Sequence, residues 1–186
     1  IRNVIIGSEA GQGSGVNPRG YNNVLIGWQS GQDLSTGNRN TFVGASSGEE
    51  TTLGYFNVAV GNLSFSANTS GRENTSIGSS SMLNMTTGLQ NTAVGYQAMR
   101  GAVAGSNSYY NTAIGYNALL NIADGTFSNT AVGHRALESD SSGNSNVGIG
   151  LMSLNANISG NDNTAVGTGS GEKNTIGNYN TFLGRA

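Results

Sequence analysis

The chain has 186 residues, a net charge of −2 and 10% charged side chains. Its eight lysines and arginines are scattered, which argues against nucleic acid as a partner, because phosphate binding needs clustered cations. It has no cysteine, so disulfides and thiolate metal sites are excluded.

Thirty glycines with so little charge would suit a disordered tract, but β-branched residues recur here in fixed columns, which disordered tracts lack. The recurring unit is a five-residue word: Asn, Thr or Val, a variable residue, an aliphatic residue, Gly. In chain order the words are 3–7, 23–27, 40–44, 57–61, 74–78, 91–95, 111–115, 129–133, 146–150, 163–167 and 180–184. Their glycines are spaced by 17 residues, stretching to 18 or 20 in three coils. A fixed period of this length is the mark of a solenoid, one coil per repeat. The words run from end to end, so residues 1–186 read as a single repeat domain of about ten stacked coils, a segment of a longer fibre.

Each word predicts a short strand. Three residues before the glycine every residue is β-branched, from Val4 to Thr181, and one before it every residue is aliphatic, from Ile6 to Leu183. Positions two apart share a strand face, so this pair predicts an apolar face lining the coil interior. Three residues after the glycine only Ala or Ser occurs, which predicts a second strand in close approach to a neighbour. A polar loop follows, with a second glycine three residues before the next word in eight of ten cases. The longer coils place their extra residues in these loops, one of them around Pro18. The asparagines Asn3, Asn23, Asn40, Asn57, Asn74, Asn91, Asn111, Asn129, Asn146, Asn163 and Asn180 form an invariant column. Stacked at about 4.8 Å they make an amide ladder.

Two further columns trade volume. Where the middle residue of the word is large (Ile5, Leu25, Phe42), the residue four after the glycine is Gly. Where it is small, that position holds Phe65, Met82, Met99, Leu119, Leu137 or Leu154. Such compensation means one shared packed space. With the β-branched face assigned to the coil interior, these residues and Phe182 are expected to pack between chains, making the rod a symmetric homo-oligomer.

The word Asn91 to Ala98, with its relatives at 111–118 and 129–136, resembles the head repeat of YadA-like trimeric autotransporter adhesins. A β-branched, a small and an aliphatic residue precede the glycine (Thr92, Ala93, Val94, Gly95), and the small Ala98 follows. Similar words occur in phage tail fibres and related bacterial surface fibres. The period of 17 is longer than that family's usual coil, and Asn stands where Ser is usual. The resemblance implies an all-β, left-handed parallel β-roll with three chains per fibre, on a bacterial surface or a virion.

Chemistry is sparse. His134 is the sole histidine and has no recurring partners, Glu49 and Glu50 point to opposite faces, and the glycine runs lack the Lys-Ser/Thr of a phosphate loop. No catalytic residue, metal ligand or cofactor is expected. Trp28, Tyr96 and Tyr116, just after the glycine, and Tyr109 and Tyr110, in the loop, are candidate surface contacts to a host receptor or glycan. The expected function is a structural and adhesive segment of an extracellular trimeric fibre, without enzymatic activity and without membrane insertion. A ligand- or ice-binding solenoid is the alternative; an ice-binding one would need a flat, outward Thr array, and the Thr column is expected to face inward. A polysaccharide-processing fibre would need paired carboxylates, which are not seen.

Overall fold

A computed structural model describes residues 2–13, 20–101 and 105–186. Pro18 and its loop lie outside the described residues. Eleven three-residue strands follow in order: β1 (Val4–Ile6), β2 (Val24–Ile26), β3 (Thr41–Val43), β4 (Val58–Val60), β5 (Thr75–Ile77), β6 (Thr92–Val94), β7 (Thr112–Ile114), β8 (Thr130–Val132), β9 (Val147–Ile149), β10 (Thr164–Val166) and β11 (Thr181–Leu183). They form one parallel sheet in sequence order. Register follows the word: Thr92 pairs with Thr112, Ala93 with Ala113 and Val94 with Ile114. The chain is therefore a β-solenoid of about ten coils, some 17 residues each. At about 4.8 Å per step, ten steps make a rod roughly 48 Å long.

The two faces of the strands are the reverse of the sequence expectation. In β2, β3, β4, β6 and β8 the middle residue is buried and its two neighbours are half-buried. Leu25, Phe42, Ala59, Ala93, Ala113 and Ala131 are fully enclosed within a single chain. So are Phe65, Met82, Met99, Leu119, Leu137 and Leu154, which the sequence suggested as packing between chains. The two volume-trading columns thus fill the interior of one coil. Of the expected inter-chain set, only Ile5, 41% exposed, and the half-buried Phe182 are partly open, in the first and last coils. The Thr/Val and Ile/Val columns face outward. The trade is visible as space: a Cβ added to Gly48 would meet three Phe42 ring atoms at 2.5 to 2.7 Å. The coil with both residues small, Ala165 and Gly171, is filled from its neighbours, since a Cβ on Gly171 would lie 2.7 Å from Phe182 and 3.0 Å from Leu154.

The second expected strand is instead a turn ribbon. Residues two and four after the glycine sit in the left-handed region, as in Gln97 (φ 53°) and Met99 (φ 51°). Residues between them do not, so the backbone alternates in hand. Alternation aims successive peptide groups up and down the rod. Gln97 donates its N–H to Ser79 in the preceding coil, and Met99 donates to Ala118 in the following one. The ribbon is thereby hydrogen-bonded to both neighbours although it is not a strand, which satisfies backbone groups that burial would otherwise leave costly. The Ala/Ser column is small because it presses on the next strand. Ser47 Oγ donates to the Ala59 carbonyl at 2.9 Å, and Ser170 Oγ to the Phe182 carbonyl at 2.8 Å.

The glycine ending the word has φ of 138° at Gly95, and a Cβ there would lie 2.4 Å from the Gly115 carbonyl oxygen. Any side chain would hold the coils apart. A last interior column, seven residues after this glycine, contains Leu34, Thr51, Asn68, Met85, Ile122, Asp140 and Asn157, all fully buried. This column mixes apolar and polar types, so no residue pattern marks it in the sequence.

Candidate functional site

The asparagine column lies inside the coil, where each side chain bridges two coils. Asn91 Oδ1 accepts the backbone N–H of Asn111 at 3.0 Å, and Asn91 Nδ2 donates to the Ser108 carbonyl at 2.7 Å. Asn91 Nδ2 also reaches Asn74 Oδ1 at 3.1 Å. The same pattern recurs at Asn40, Asn57 and Asn163 with the second-glycine carbonyls of the following loops. These amides are structural: donors and acceptor are occupied within the chain, leaving nothing to offer a ligand. A second ladder, Asn144–Asn161–Asn178, runs along the loop edge, with Asn161 N–H to Asn178 Oδ1 at 2.7 Å and Asn144 N–H to Asn161 Oδ1 at 2.9 Å. It begins where aromatics give way to asparagine in that column.

Three surfaces remain. The first is the outward face of the sheet, where Ile77, Ile114, Ile149 and Val166 are each about two-fifths exposed, next to the half-buried Thr column. It runs unbroken over the eleven strands.

The second is the column just after the glycine. Tyr96 and Tyr116 stack at 5.4 Å between centroids, 15° from parallel, and His134 continues the stack at 5.1 Å and 9°. His134 is exposed, as expected of a surface residue, and it is also stacked on Tyr116. Tyr116 is stacked on both faces and presents its edge and hydroxyl group, whereas Tyr96 is stacked on one face only. Trp28 lies in the same column four coils before Tyr96 and is 53% exposed.

The third is the loop corner before each strand. Tyr110 is well exposed here, and Tyr109 half-buried. At the N-terminal end of this corner stand Tyr21, Arg39, Tyr55, Phe56 and Arg72, discussed below.

Titratable chemistry is confined to two acids. Glu138 is partly desolvated, which pushes its carboxyl up. Hydrogen bonds from Arg135, Asn155 and Asn117 and the Arg135 charge outweigh this and hold it below the usual value. Arg135 Nε donates to it at 2.6 Å, the one ion pair among the described residues. Asp140 is the other case: burial pushes it up to about 7, against the Gly143 N–H that it accepts and the nearby Asn146 and Asn157 amides. Its Oδ1 accepts the Gly143 N–H at 2.7 Å, while Oδ2 is buried without a partner. Among the described residues no group of three or more His, Asp or Glu is placed to hold a metal ion. Nor is any helix there long and apolar enough to cross a membrane. Comparison with protein-family models, with curated proteins and with solved structures finds no match.

Proposed function

We propose that the chain is a structural and adhesive segment of an extracellular trimeric fibre, on a bacterial surface or a virion, and that it catalyses nothing. The observation that carries this is the outward sheet face. Two columns of β-branched and aliphatic residues run the length of the rod on its outward face, half-buried or exposed. Uniform β-branched surfaces are built to pack, and a rod with one such face along its axis is matched by rotation about a parallel axis. The resemblance of the repeat to YadA-like heads supports three chains, coiled left-handed, as the form of that packing. The inter-chain residues are then Thr92, Val94 and their equivalents, with the columns once assigned to that task closed inside each coil.

Sedimentation equilibrium of the purified segment tests the reading. The expected mass is three times 19.0 kDa. Glu at both Val94 and Ile114 is expected to lower it, by setting charges against an apolar interface. A monomer at micromolar concentration refutes the trimer.

A second reading rests on one specific finding. The Thr column faces outward, not inward as the sequence suggested, with Thr75, Thr92, Thr112 and Thr130 on consecutive paired strands. A flat, regular array of hydroxyl and methyl groups is what an ice-binding face requires. Thermal hysteresis in a monomeric sample would favour that reading; a trimer without hysteresis would exclude it.

A further inference from the structure

The loop corner near the N-terminal end carries two arginines laid on aromatic rings. The Arg39 guanidinium lies 4.9 Å from the Phe56 centroid and 5.7 Å from that of Tyr21. The Arg72 guanidinium lies 5.7 Å from the Tyr55 centroid. Tyr55 and Phe56 meet edge to face at 5.7 Å. Both arginines, Tyr21 and Phe56 are exposed. These contacts fix each cation across coils, since Tyr21, Arg39 and Phe56 come from three successive turns.

Among the described residues no carboxylate forms an ion pair with either arginine, the sole ion pair being Arg135–Glu138. The nearest acid in sequence, Glu73, instead accepts from Gln90 Nε2 at 2.6 Å. A guanidinium held against a ring keeps its in-plane N–H donors free, in the fork that matches a carboxylate. The exposed ring surfaces beside it suit the C–H face of a sugar. We infer that this corner binds an acidic saccharide, with Arg39 and Arg72 each receiving a carboxylate and Phe56 and Tyr21 flanking the sugar ring.

Spacing decides between anions. Arg39 and Arg72 stand two coils apart, about 10 Å along the rod. Duplex DNA carries a charge every ~1.7 Å, which two cations on a chain of net charge −2 would not offset. A chain with one carboxylate per disaccharide spreads its charge at the wider spacing of the two arginines. The corner is made by one chain, so it deepens the adhesive reading without depending on the trimer.

The test is calorimetric titration of the segment with hyaluronan oligosaccharides, which carry one carboxylate per disaccharide. Dextran serves as a neutral probe and polyphosphate as a dense anion. Arg39→Gln with Arg72→Gln removes both charges, and Gln is already accommodated in the left-handed backbone of the Arg39 column at Gln90 (φ 54°). Phe56→Ser is equally compatible, as Ser128 (φ 60°) and Ser145 (φ 58°) show in that column. Circular dichroism checks that both variants fold. The double variant is expected to lose at least about tenfold in hyaluronan affinity, Phe56→Ser several-fold, and Arg185→Gln, away from the corner, none. Dextran is expected not to bind. Absence of hyaluronan binding at millimolar ligand overturns the inference, as does equal affinity in the double variant. Equal binding of polyphosphate, unmoved by Phe56→Ser, would mean charge attraction alone and overturn it too. Sedimentation of the same samples keeps the two proposals apart: a trimer that does not bind refutes the corner, and a monomer that binds refutes the fibre.

Discussion

Replacing Asp140 with Asn should stabilise the protein at neutral pH and leave it nearly unchanged in acid. Asp140 occupies a column that elsewhere holds Asn68 and Asn157, and with one oxygen it does what Asn68 does: Gly143 N–H reaches Asp140 Oδ1 as Gly71 N–H reaches Asn68 Oδ1. Its other oxygen is buried and unpartnered. Ile122 and Asn157 hold the same position in the coils above and below, so neither supplies a countercharge, and Glu138, two residues back, is engaged by Arg135. Burial therefore raises its pKa to about 7 from 3.8. The folded state holds a proton that the unfolded state releases, so the contribution to stability is fully present below the unfolded pKa and is lost as pH rises through about 7. The rise from 3.8 to about 7, at about 1.4 kcal/mol per pH unit, corresponds to roughly 4 kcal/mol between pH 4 and pH 8. Urea titrations of both proteins at pH 4, 6 and 8 measure it. Subtracting one from the other removes the contributions common to both proteins. The advantage of the Asn variant should grow by about 4 kcal/mol across the series, with roughly two-thirds of it gained by pH 6. An advantage constant with pH would refute the argument.

Three further outcomes follow from the packing. Gly95→Ala is expected to cost at least about 3 kcal/mol in urea unfolding, because a Cβ at φ 138° meets the Gly115 carbonyl oxygen at 2.4 Å. Asn91→Ala should cost about 3 kcal/mol by leaving the Asn111 N–H and the Ser108 carbonyl unpaired in the interior, whereas Asn161→Ala on the loop edge should cost under about 1 kcal/mol, since water replaces its partners. Ala93→Leu and Met99→Gly should each destabilise by about 2–4 kcal/mol, the first by overpacking and the second by a cavity. Combined, they reproduce the Leu25–Gly31 arrangement and should recover most of the loss; additive costs in the double-mutant cycle would show that the two positions do not share a space.

The strands, the corners and the asparagine column were legible because each is held to one residue type by a requirement that repeats in every coil. Gly95 cannot carry a Cβ, and Asn91 must present both an acceptor and a donor. The turn ribbon was not legible. Met82, Met99 and Leu119 sit in the left-handed region at φ 48°, 51° and 54°, which large side chains seldom adopt, so local preference points away from the truth. The one signal was that Gly11, Gly31 and Gly48 share their column, and it was masked by the volume argument those glycines also serve. The corner of Arg39 and Phe56 was hidden for a different reason. Its partners come from three coils in a column whose composition follows no rule, so only their placement reveals them.

The reversal of the strand faces shows what kind of variation marks an interior. Both faces of β6 are apolar, so hydropathy does not choose between Thr92 with Val94 and Ala93. The β-branched columns hardly vary, and such uniformity resembles that of a closed core. A closed coil conserves total volume instead: Phe42 with Gly48 and Ala93 with Met99 fill equal space by different means, and each exchange is settled within one chain. A face that meets copies of itself along a fibre has no such local freedom. A larger residue there cannot be offset by its own coil and would lift a neighbouring chain over the whole rod. Compensated variation therefore belongs inside, and uniform shape belongs to the outward face, which is the surface proposed to assemble. Val94→Phe distinguishes the two roles: at an inter-chain surface it should weaken the trimer in sedimentation while leaving the unfolding of a single rod nearly unchanged. Loss of fold with it would return the β-branched face to the interior.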